Sequence, residues 1–388
     1  MRFTSLDEWL SWQETLHPTD IELGLERVAT VFQQLHSEPP PFPVITVAGT
    51  NGKGSSVAML EAILLAAGYR VGSYTSPHLL TYNERVRLAG VPVSDAVLIE
   101  SFARIDEARL DNSLTYFEFG TLAALDIFYR QLPDVVVLEV GLGGRLDAVN
   151  IIDSDVALIT SISVDHAEWL GDDRETIAVE KAGIMRVGHP AIFSGRNVPA
   201  SLVEHAATLG APLSVLGRDF DYQAHQTDWQ WQAGNQPAIT LPMPALAGQH
   251  QLDNAAGVLM ALACLAQQLP VDESALRQGL QNVSLPGRFQ VVHTEVTWVL
   301  DVAHNPDGVA RLTELLAANP VAGKTLAVIG MMQDKDILAV VNQLQPQVDA
   351  WYTATLPSPR SADAEMVAEL IRDETGLKQV EAYADVSA

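Results

Sequence analysis

The sequence predicts an α/β protein: a large N-terminal domain on a mostly parallel sheet, followed by a smaller α/β domain. Three observations carry this. From about residue 44 onward, apolar β-branched runs alternate with longer helical patterns, the signature of βαβ units. The runs are nearly continuous instead of alternating with polar residues, which is how strands buried on both faces read. The 388 residues exceed the roughly 150 of one domain and leave bulk for more than one core.

The first strand is Val44-Ile45-Thr46-Val47-Ala48, entered from the stiff Pro39-Pro40-Pro41 connector. Val71-Gly72-Ser73-Tyr74, Val135-Val136-Val137-Leu138-Glu139 and Val156-Ala157-Leu158-Ile159-Thr160 follow as further strands. Helices are expected on both faces, one of them starting near Val57. Residues 220–244, with Trp229, Trp231 and scattered Gly and Pro, read as a small antiparallel excursion without chemistry. Helices over about 252–268 and 273–281 come next, then the turn-like Leu285-Pro286-Gly287-Arg288. That turn sets the expected boundary: one domain over 1–285, a linker at 286–288, and a second domain over 289–388. In the second, strands near Trp298-Val299-Leu300-Asp301, Thr325-Leu326-Ala327-Val328-Ile329 and Ala350-Trp351-Tyr352 are each followed by a helical pattern. There is no internal repeat or low-complexity tract.

Hydrophobic residues make up 48% and charged residues 18%, the balance of a folded enzyme and not of a disordered chain. Asp and Glu number 48 against 23 Lys and Arg, a net charge of −25 that repels nucleic-acid backbone and anionic lipid. Neither nucleic acid nor a membrane is an expected partner. A phosphate ligand therefore needs a local device of backbone amides, a lysine or a metal ion. The single Cys264 excludes an intrachain disulfide and a thiolate metal cluster, and in its apolar run it reads as a core filler. Acidic residues stand at positions 7 and 8, where a signal peptide needs an apolar stretch, and no segment approaches ~18 uninterrupted apolar residues. The chain is expected to be soluble and cytoplasmic.

The strongest motif is Gly49-Thr50-Asn51-Gly52-Lys53-Gly54-Ser55, placed between a strand and a helical pattern. Glycines allow a tight turn that converges backbone N–H groups on phosphate oxygens, a helix N-terminus adds positive potential, and Lys53 adds a point charge. The spacing is shorter than the common G-x-x-x-x-G-K-[ST]. The structural alternative is a Gly-rich turn with no ligand. A phosphate loop also needs a divalent cation, held by oxygen donors at strand ends. Glu139 ends a strand before the Gly-rich segment 140–147, His166 follows the next strand, and Ser76 follows another, all where open α/β sheets bind ligands. Taken singly, Ser76 reads as a turn former, Glu139 as a surface acid and His166 as a cap or core histidine. An imidazole is an unusual ligand for magnesium, so manganese should substitute well.

These motifs, together with Thr75-Ser76-Pro77-His78, Leu138-Glu139-Val140-Gly141-Leu142-Gly143-Gly144-Arg145-Leu146-Asp147, Asp165-His166, Glu180-Lys181-Ala182-Gly183-Ile184, Leu285-Pro286-Gly287-Arg288 and Asp301-Val302-Ala303-His304-Asn305-Pro306, resemble the bacterial bifunctional dihydrofolate synthase/folylpolyglutamate synthases of the Mur ligase superfamily. They stand in the family's order from about residue 17 to the end. The resemblance implies a P-loop-type N-terminal ATPase domain and a Rossmann-like C-terminal domain. It implies an ATP-dependent ligase that adds L-glutamate to dihydropteroate and to reduced folates through an acyl phosphate. It further implies a monomer with two magnesium sites. Ser76, Glu139 and His166 match the family's metal ligands, and Lys181 matches a lysine that carbon dioxide carbamylates into a ligand for the second magnesium; Lys53, Lys181 and His166 form the catalytic set. The structural alternative for Lys181 is a surface salt bridge to Glu180 or Glu175. Asn254 and Arg288 match contacts to adenine and phosphates, Asp301 and His304 contacts to ribose and phosphate; their alternatives are a helix cap, a linker salt bridge and a strand-end turn.

For the pterin-bearing substrate, the segment 20–28 with Leu23 and Gly24 resembles one wall of the family's dihydropteroate site, and 114–118 with Thr115 and Phe117 the other. Phe117 is a candidate to stack on the flat ring, with a helix-core role as its alternative. Asp147 and Ala148 lie where the family contacts the same ligand. Arg85 is the candidate for the glutamate carboxylates, since a guanidinium grips a carboxylate bidentately; otherwise it is an exposed strand charge. Family members usually continue with a further strand and a final helix, so the second domain reads as clipped: if that end is natural, a weakened grip on glutamate is expected, and if it is not, the activity the resemblance implies carries over unchanged. The competing readings are a folylpolyglutamate synthase without the dihydropteroate activity and an inactive nucleotide-binding paralogue.

Overall fold

The computed structural model describes residues 2–376 and 379–387. The chain divides between Leu285 and Pro286 into two units, each with its own core. Among the described residues no helix is long and apolar enough to cross a membrane.

The first unit opens with two helices, α1 (Leu6–Leu16) and α2 (Glu26–Leu35). Strand β1 (Val44–Ala48), helix α3 (Lys53–Ala66) and strand β2 (Val71–Tyr74) form the first βαβ crossover. Two short strands β3 (Val86–Leu88) and β4 (Val91–Pro92), helices α4 (Asp95–Ala108) and α5 (Tyr116–Gln131), and strand β5 (Val135–Glu139) follow. The unit continues with β6 (Val156–Ile159), α6 (Ala167–Leu170), α7 (Arg174–Ala182), β7 (Ala191–Phe193), α8 (Ala200–Leu209) and β8 (Leu213–Val215). Its sheet has the order β4-β3-β2-β5-β1-β6-β7-β8. From β2 to β8 in that order neighbouring strands pair parallel, and only β3, antiparallel to both β2 and β4, runs against the rest. The central strands β1, β5 and β6 are buried at every position, which is why they read as unbroken apolar runs.

Alternation along β5 assigns its faces. Val135 and Val137 join one core with Leu60 and Ile63 of α3, whereas Val136 and Leu138 join the opposite core with Phe119 and Leu122 of α5. Strands β9 (Phe220–Ala224), β10 (Asp228–Ala233) and β11 (Ile239–Pro242) make the antiparallel excursion, with Trp229 fully buried in the α3-side core. Helices α9 (His250–Cys264) and α10 (Glu273–Asn282) pack beside α3. Helix α9 ends four residues before the expected limit, and half-buried Cys264 closes it.

The second unit holds an antiparallel ribbon of β12 (Gln290–His293) and β13 (Thr297–Leu300), helix α11 (Pro306–Ala318), and a parallel sheet β14-β15-β16 with β14 (Leu326–Ile329), α12 (Ile337–Leu344), β15 (Ala350–Ala354), α13 (Ala364–Thr375) and β16 (Val380–Tyr383). The strand around Trp298 therefore pairs with its own sequence neighbour and not with the parallel sheet. Edge strand β14 also departs from its apolar reading. Ala327 and Ile329 pack on the helix-covered core, while Leu326 and Val328 are 54% and 61% exposed.

Candidate active site

The turn from β1 into α3 is four residues long and depends on two glycines. Gly49 has φ 149°, and a Cβ there would stand 1.8 Å from Thr160 Oγ1; Gly52 has φ 90°, and its Cβ would stand 2.4 Å from Asn254 Oδ1. Only glycine fits a positive φ with so close an approach. Helix α3 begins at Lys53, four residues before the expected start near Val57, so Lys53, Gly54 and Ser55 form its first turn. Their amides thus belong to a helix N-terminus, the positive end of the helix dipole. The Lys53 ammonium donates to the carbonyls of Gly49 and Thr50, each at 3.0 Å.

This turn is stitched to the end of neighbouring strand β6. Thr50 N donates to Ser161 O at 2.7 Å and Thr50 Oγ1 to Ser163 O at 2.9 Å. Thr160 Oγ1 donates to Asn51 O at 2.7 Å. Residues 160–163 were not singled out from the sequence. Their signal, a Thr-Ser-x-Ser run at a strand end, is too common to stand alone. From α9, buried Asn254 backs Gly52 and donates to Gln251 Oε1 at 3.0 Å, and Gln251 donates to Ser55 Oγ at 3.2 Å. Asn254 is thus a buried support of the turn and not a helix cap; Gln251, its neighbour in the sequence, was missed.

Lys181 lies in the last turn of α7, 3% exposed, and donates to Gly49 O at 3.0 Å. The surface salt bridge fails as an explanation: Glu180 pairs with Arg145 at 2.8 Å and Glu175 accepts from Ser201 N. Burial, reinforced by the Lys53 charge, lowers the Lys181 pKa to about 7, against the pull of Asp165 and Asp147. Helix α7 can come this close because Gly144 lacks a side chain: a Cβ there would meet Glu180 O at 2.8 Å and Lys181 Cα at 3.1 Å. Asp147 is also buried, and burial raises its pKa to about 6 despite hydrogen bonds from the amides of Leu142, Val149 and Gly141. It caps the short turn that starts at Ala148.

Glu139 ends β5 and is 5% exposed, so it is no surface acid; Ser76 N reaches its carboxylate at 3.4 Å across a cis Ser76–Pro77 segment. Glu139 closes β5 and Ser76 lies just past the end of the adjacent strand β2. A buried carboxylate and a serine hydroxyl are hard oxygen donors of the kind that suits magnesium or manganese. His166 stands exposed after β6 with φ 52°, its carbonyl accepting from Trp169 N and Leu170 N at the start of α6. The structure thus brings Ser76 and Glu139 together, and among the described residues no group of three or more His, Cys, Asp and Glu converges as a metal site.

Thr115 caps α5, closing a box with Glu118, and Phe117 lies in the first turn of α5. The Phe117 ring lies over Gly141, where a Cβ would meet it at 2.5 Å, and 6.2 Å from the Tyr74 ring. Phe117 is only half-buried, unlike Phe119, which fills the core. Leu23 and Gly24 are half-buried in the irregular segment before α2. Arg85 is not an exposed strand charge. It closes a short turn, is 8% exposed, donates from Nε to His78 Nδ1 at 2.8 Å, and lies over the rings of Tyr82 and Tyr116.

In the second unit, Asp301 folds the ribbon's exit onto its entrance, accepting from Phe289 N and Ala303 N at 2.7 Å each. Arg288 donates to Gly287 O, and His304 bonds Val302 O through Nδ1.

Residues 47–262 match the Mur ligase middle domain, and residues 287–388 match the Mur ligase, glutamate ligase domain. The chain is 48% identical over 365 residues to the dihydrofolate synthase/folylpolyglutamate synthase of Escherichia coli strain K12, spanning 94% of this chain and 85% of that one. It is 43% identical to the Haemophilus influenzae protein of the same name, over 95% and 86% of the two chains. Among solved structures, Escherichia coli FolC in complex with DHPP and ADP superposes with TM-score 0.92 at 46% identity, covering 99% of this chain and 90% of that one. A bifunctional folylpolyglutamate synthase/dihydrofolate synthase with Mn, AMPPNP and L-glutamate bound gives TM-score 0.90 at 49% identity over the same shares.

Proposed function

The chain belongs to the Mur ligase family and, within it, to the dihydrofolate synthase/folylpolyglutamate synthases, and from that premise we propose that it is an ATP-dependent ligase joining L-glutamate to dihydropteroate and to reduced folates. The observation that carries the reading is the turn of Gly49–Ser55, with Lys53 and buried Lys181 both bonded to its carbonyls.

A free carboxylate is a poor electrophile, because an amine attacking it must displace oxide. Transfer of the γ-phosphoryl group of ATP to the acceptor's carboxylate oxygen gives an acyl phosphate. The amino nitrogen of L-glutamate then attacks the carbonyl carbon, an amide forms and phosphate leaves. In this reading residues 49–55 and the α3 N-terminus bind the phosphates, and Lys53 neutralises charge on the transferring group. Asn254 holds the turn from behind, with Arg288, Asp301 and His304 as further nucleotide contacts. Ser76, Glu139 and His166 are the residues that would hold a divalent cation, which when bound neutralises phosphate oxygens and orients them. Manganese alongside AMPPNP in a relative supports that choice. Lys181 joins the set by adding carbon dioxide to its neutral amine, one N–C bond forming as one proton leaves; the pKa near 7 supplies that neutral amine.

For the acceptor, Leu23, Gly24, Thr115, Phe117, Asp147 and Ala148 are read as the pterin-binding walls and Arg85 as a carboxylate receptor. The reading also has the two domains divide at 286–288 and the enzyme act as a cytoplasmic monomer with two magnesium sites. Incubation with magnesium, ATP, L-glutamate and either dihydropteroate or tetrahydrofolate tests the whole: each acceptor should yield its glutamylated product with stoichiometric phosphate. No product from dihydropteroate rejects the dual activity, and no glutamate-dependent phosphate release with either acceptor rejects the ligase.

A further inference from the structure

The segment between α1 and α2 contains no regular secondary structure from residue 17 to 25. Such a loop would ordinarily move, yet it is tied at both ends to the entrance of α5. At one end, the His17 ring places Nδ1 2.9 Å from Ser113 Oγ and Nε2 2.8 Å from Glu22 Oε2. At the other, Arg27 donates to Glu118 Oε1 at 2.9 Å and to Glu22 O at 3.2 Å, and its second terminal nitrogen pairs with the Glu22 carboxylate. Glu118 is 3% exposed, and its other oxygen accepts from Thr115 N at 2.7 Å. Glu22 is therefore a hub gripped by His17 and Arg27, and Arg27 joins that hub to the buried cap of α5.

The consequence is geometric. The chain from His17 to Arg27, which carries Leu23 and Gly24, is held at both ends to residues 113–118, the entrance of the helix that carries Phe117, whose ring is itself lodged over Gly141. One guanidinium fork serves two carboxylates from different elements, which an ammonium cannot reproduce. We propose that Arg27 and Glu22 are positioning residues that clamp the loop carrying Leu23 and Gly24 against the α5 entrance and thereby set affinity for the pterin-bearing acid, leaving ATP binding untouched. This rests on the acceptor-site reading above.

The test is a double-mutant cycle of Arg27→Met, Glu22→Gln and their combination, with Arg27→Lys as the conservative variant. Binding of dihydropteroate is measured by calorimetry and KM by phosphate release. Arg27→Met should raise the Kd and KM for dihydropteroate roughly tenfold, within the range of couplings inside one ion-pair network, with the KM for ATP changing less than about twofold. Arg27→Lys should recover part of the loss, and the double variant should be no worse than Arg27→Met alone. An unchanged dihydropteroate Kd in Arg27→Met, parallel rises for ATP and dihydropteroate, or additive losses in the double variant overturn the proposal. If Arg27→Met does not fold, Glu22→Gln, a change on a half-exposed side chain, carries the same comparison of the two ligands. Failure of the wild type to bind dihydropteroate at all would instead reject the acceptor reading itself.

Discussion

The turn after β1 in the first unit and the ribbon exit in the second both present candidate nucleotide contacts, but different bonds hold them. Around Gly49–Ser55 the partners come from across the chain: Thr160 and Ser161 from the end of β6, Lys181 from α7, Asn254 from α9. Asp301 instead accepts from the amides of Phe289 and Ala303, both within twelve residues of it. The first arrangement is made by sheet order, since β5, β1 and β6 are neighbours. The second is made by a local turn. Changes at the first place should therefore disturb chemistry and fold together, except at the half-buried Lys53, whose ammonium donates to carbonyls of its own turn, and changes at the second should cost little stability.

The largest effect expected is from Lys53→Ala. Its side chain bonds the turn's own carbonyls, so removing it should lower turnover on the order of 10³-fold, the loss of a preorganised charge at the reacting group, while the thermal midpoint stays close to wild type. Retained turnover would remove the phosphate-loop assignment. Next is Lys181→Met, expected to lower activity about 100-fold, as loss of a ligand-side group does, with partial rescue by short carboxylic acids. No rescue, together with no carbon dioxide adduct by mass spectrometry, would end the carbamate role. The same variant tests the burial argument in buffer free of carbon dioxide. Burial lowers the folded pKa of Lys181 to about 7 from 10.5, so between those values the unfolded chain binds more protons. Stability of the wild type relative to Lys181→Met should then rise with pH from about 7 toward 10.5, and a flat difference would contradict it.

A smaller effect separates strain from contact. Gly52→Ala meets both a positive φ and Asn254, and should cost about 2–3 kcal/mol in chemical denaturation. Gly210→Ala has φ 76° but nothing within 4 Å, and should cost only about 1 kcal/mol. Equal losses would show that Asn254 yields freely. The smallest is Asp301→Ala, which removes two hydrogen bonds accepted from backbone N–H groups and should cost about 1 kcal/mol. A loss as large as that at Gly52 would erase the contrast between the two regions.

Much of this was legible beforehand. The central strands read correctly because burial on both faces leaves an unbroken apolar run, and the Gly-Lys-Gly-Ser motif marked the turn. The helix start was misjudged by four residues because Gly54, Ser55 and Ser56 are weak helix formers, yet Gly52 in the left-handed conformation launches α3 directly at Lys53. The strand around Trp298 reads like the other strands of the second α/β series because its composition says nothing about its pairing partner. Lys181 and Phe117 became candidates only through resemblance; periodicity alone favours a surface ion pair for one and a core ring for the other.

The sequence by itself determined the α/β class, the order of the strands along the chain and the residues that could turn tightly, because those follow from local burial period and backbone freedom. Tertiary structure alone decided that Lys181 is buried on the Gly49 carbonyl, that Gln251 and Thr160 support the turn, and that Arg27 ties Glu22 in the loop before α2 to Glu118 of α5. Such facts depend on which strands become neighbours and how closely two backbones approach, and pairwise distances of that kind are set by the packed whole and by no single stretch of chain.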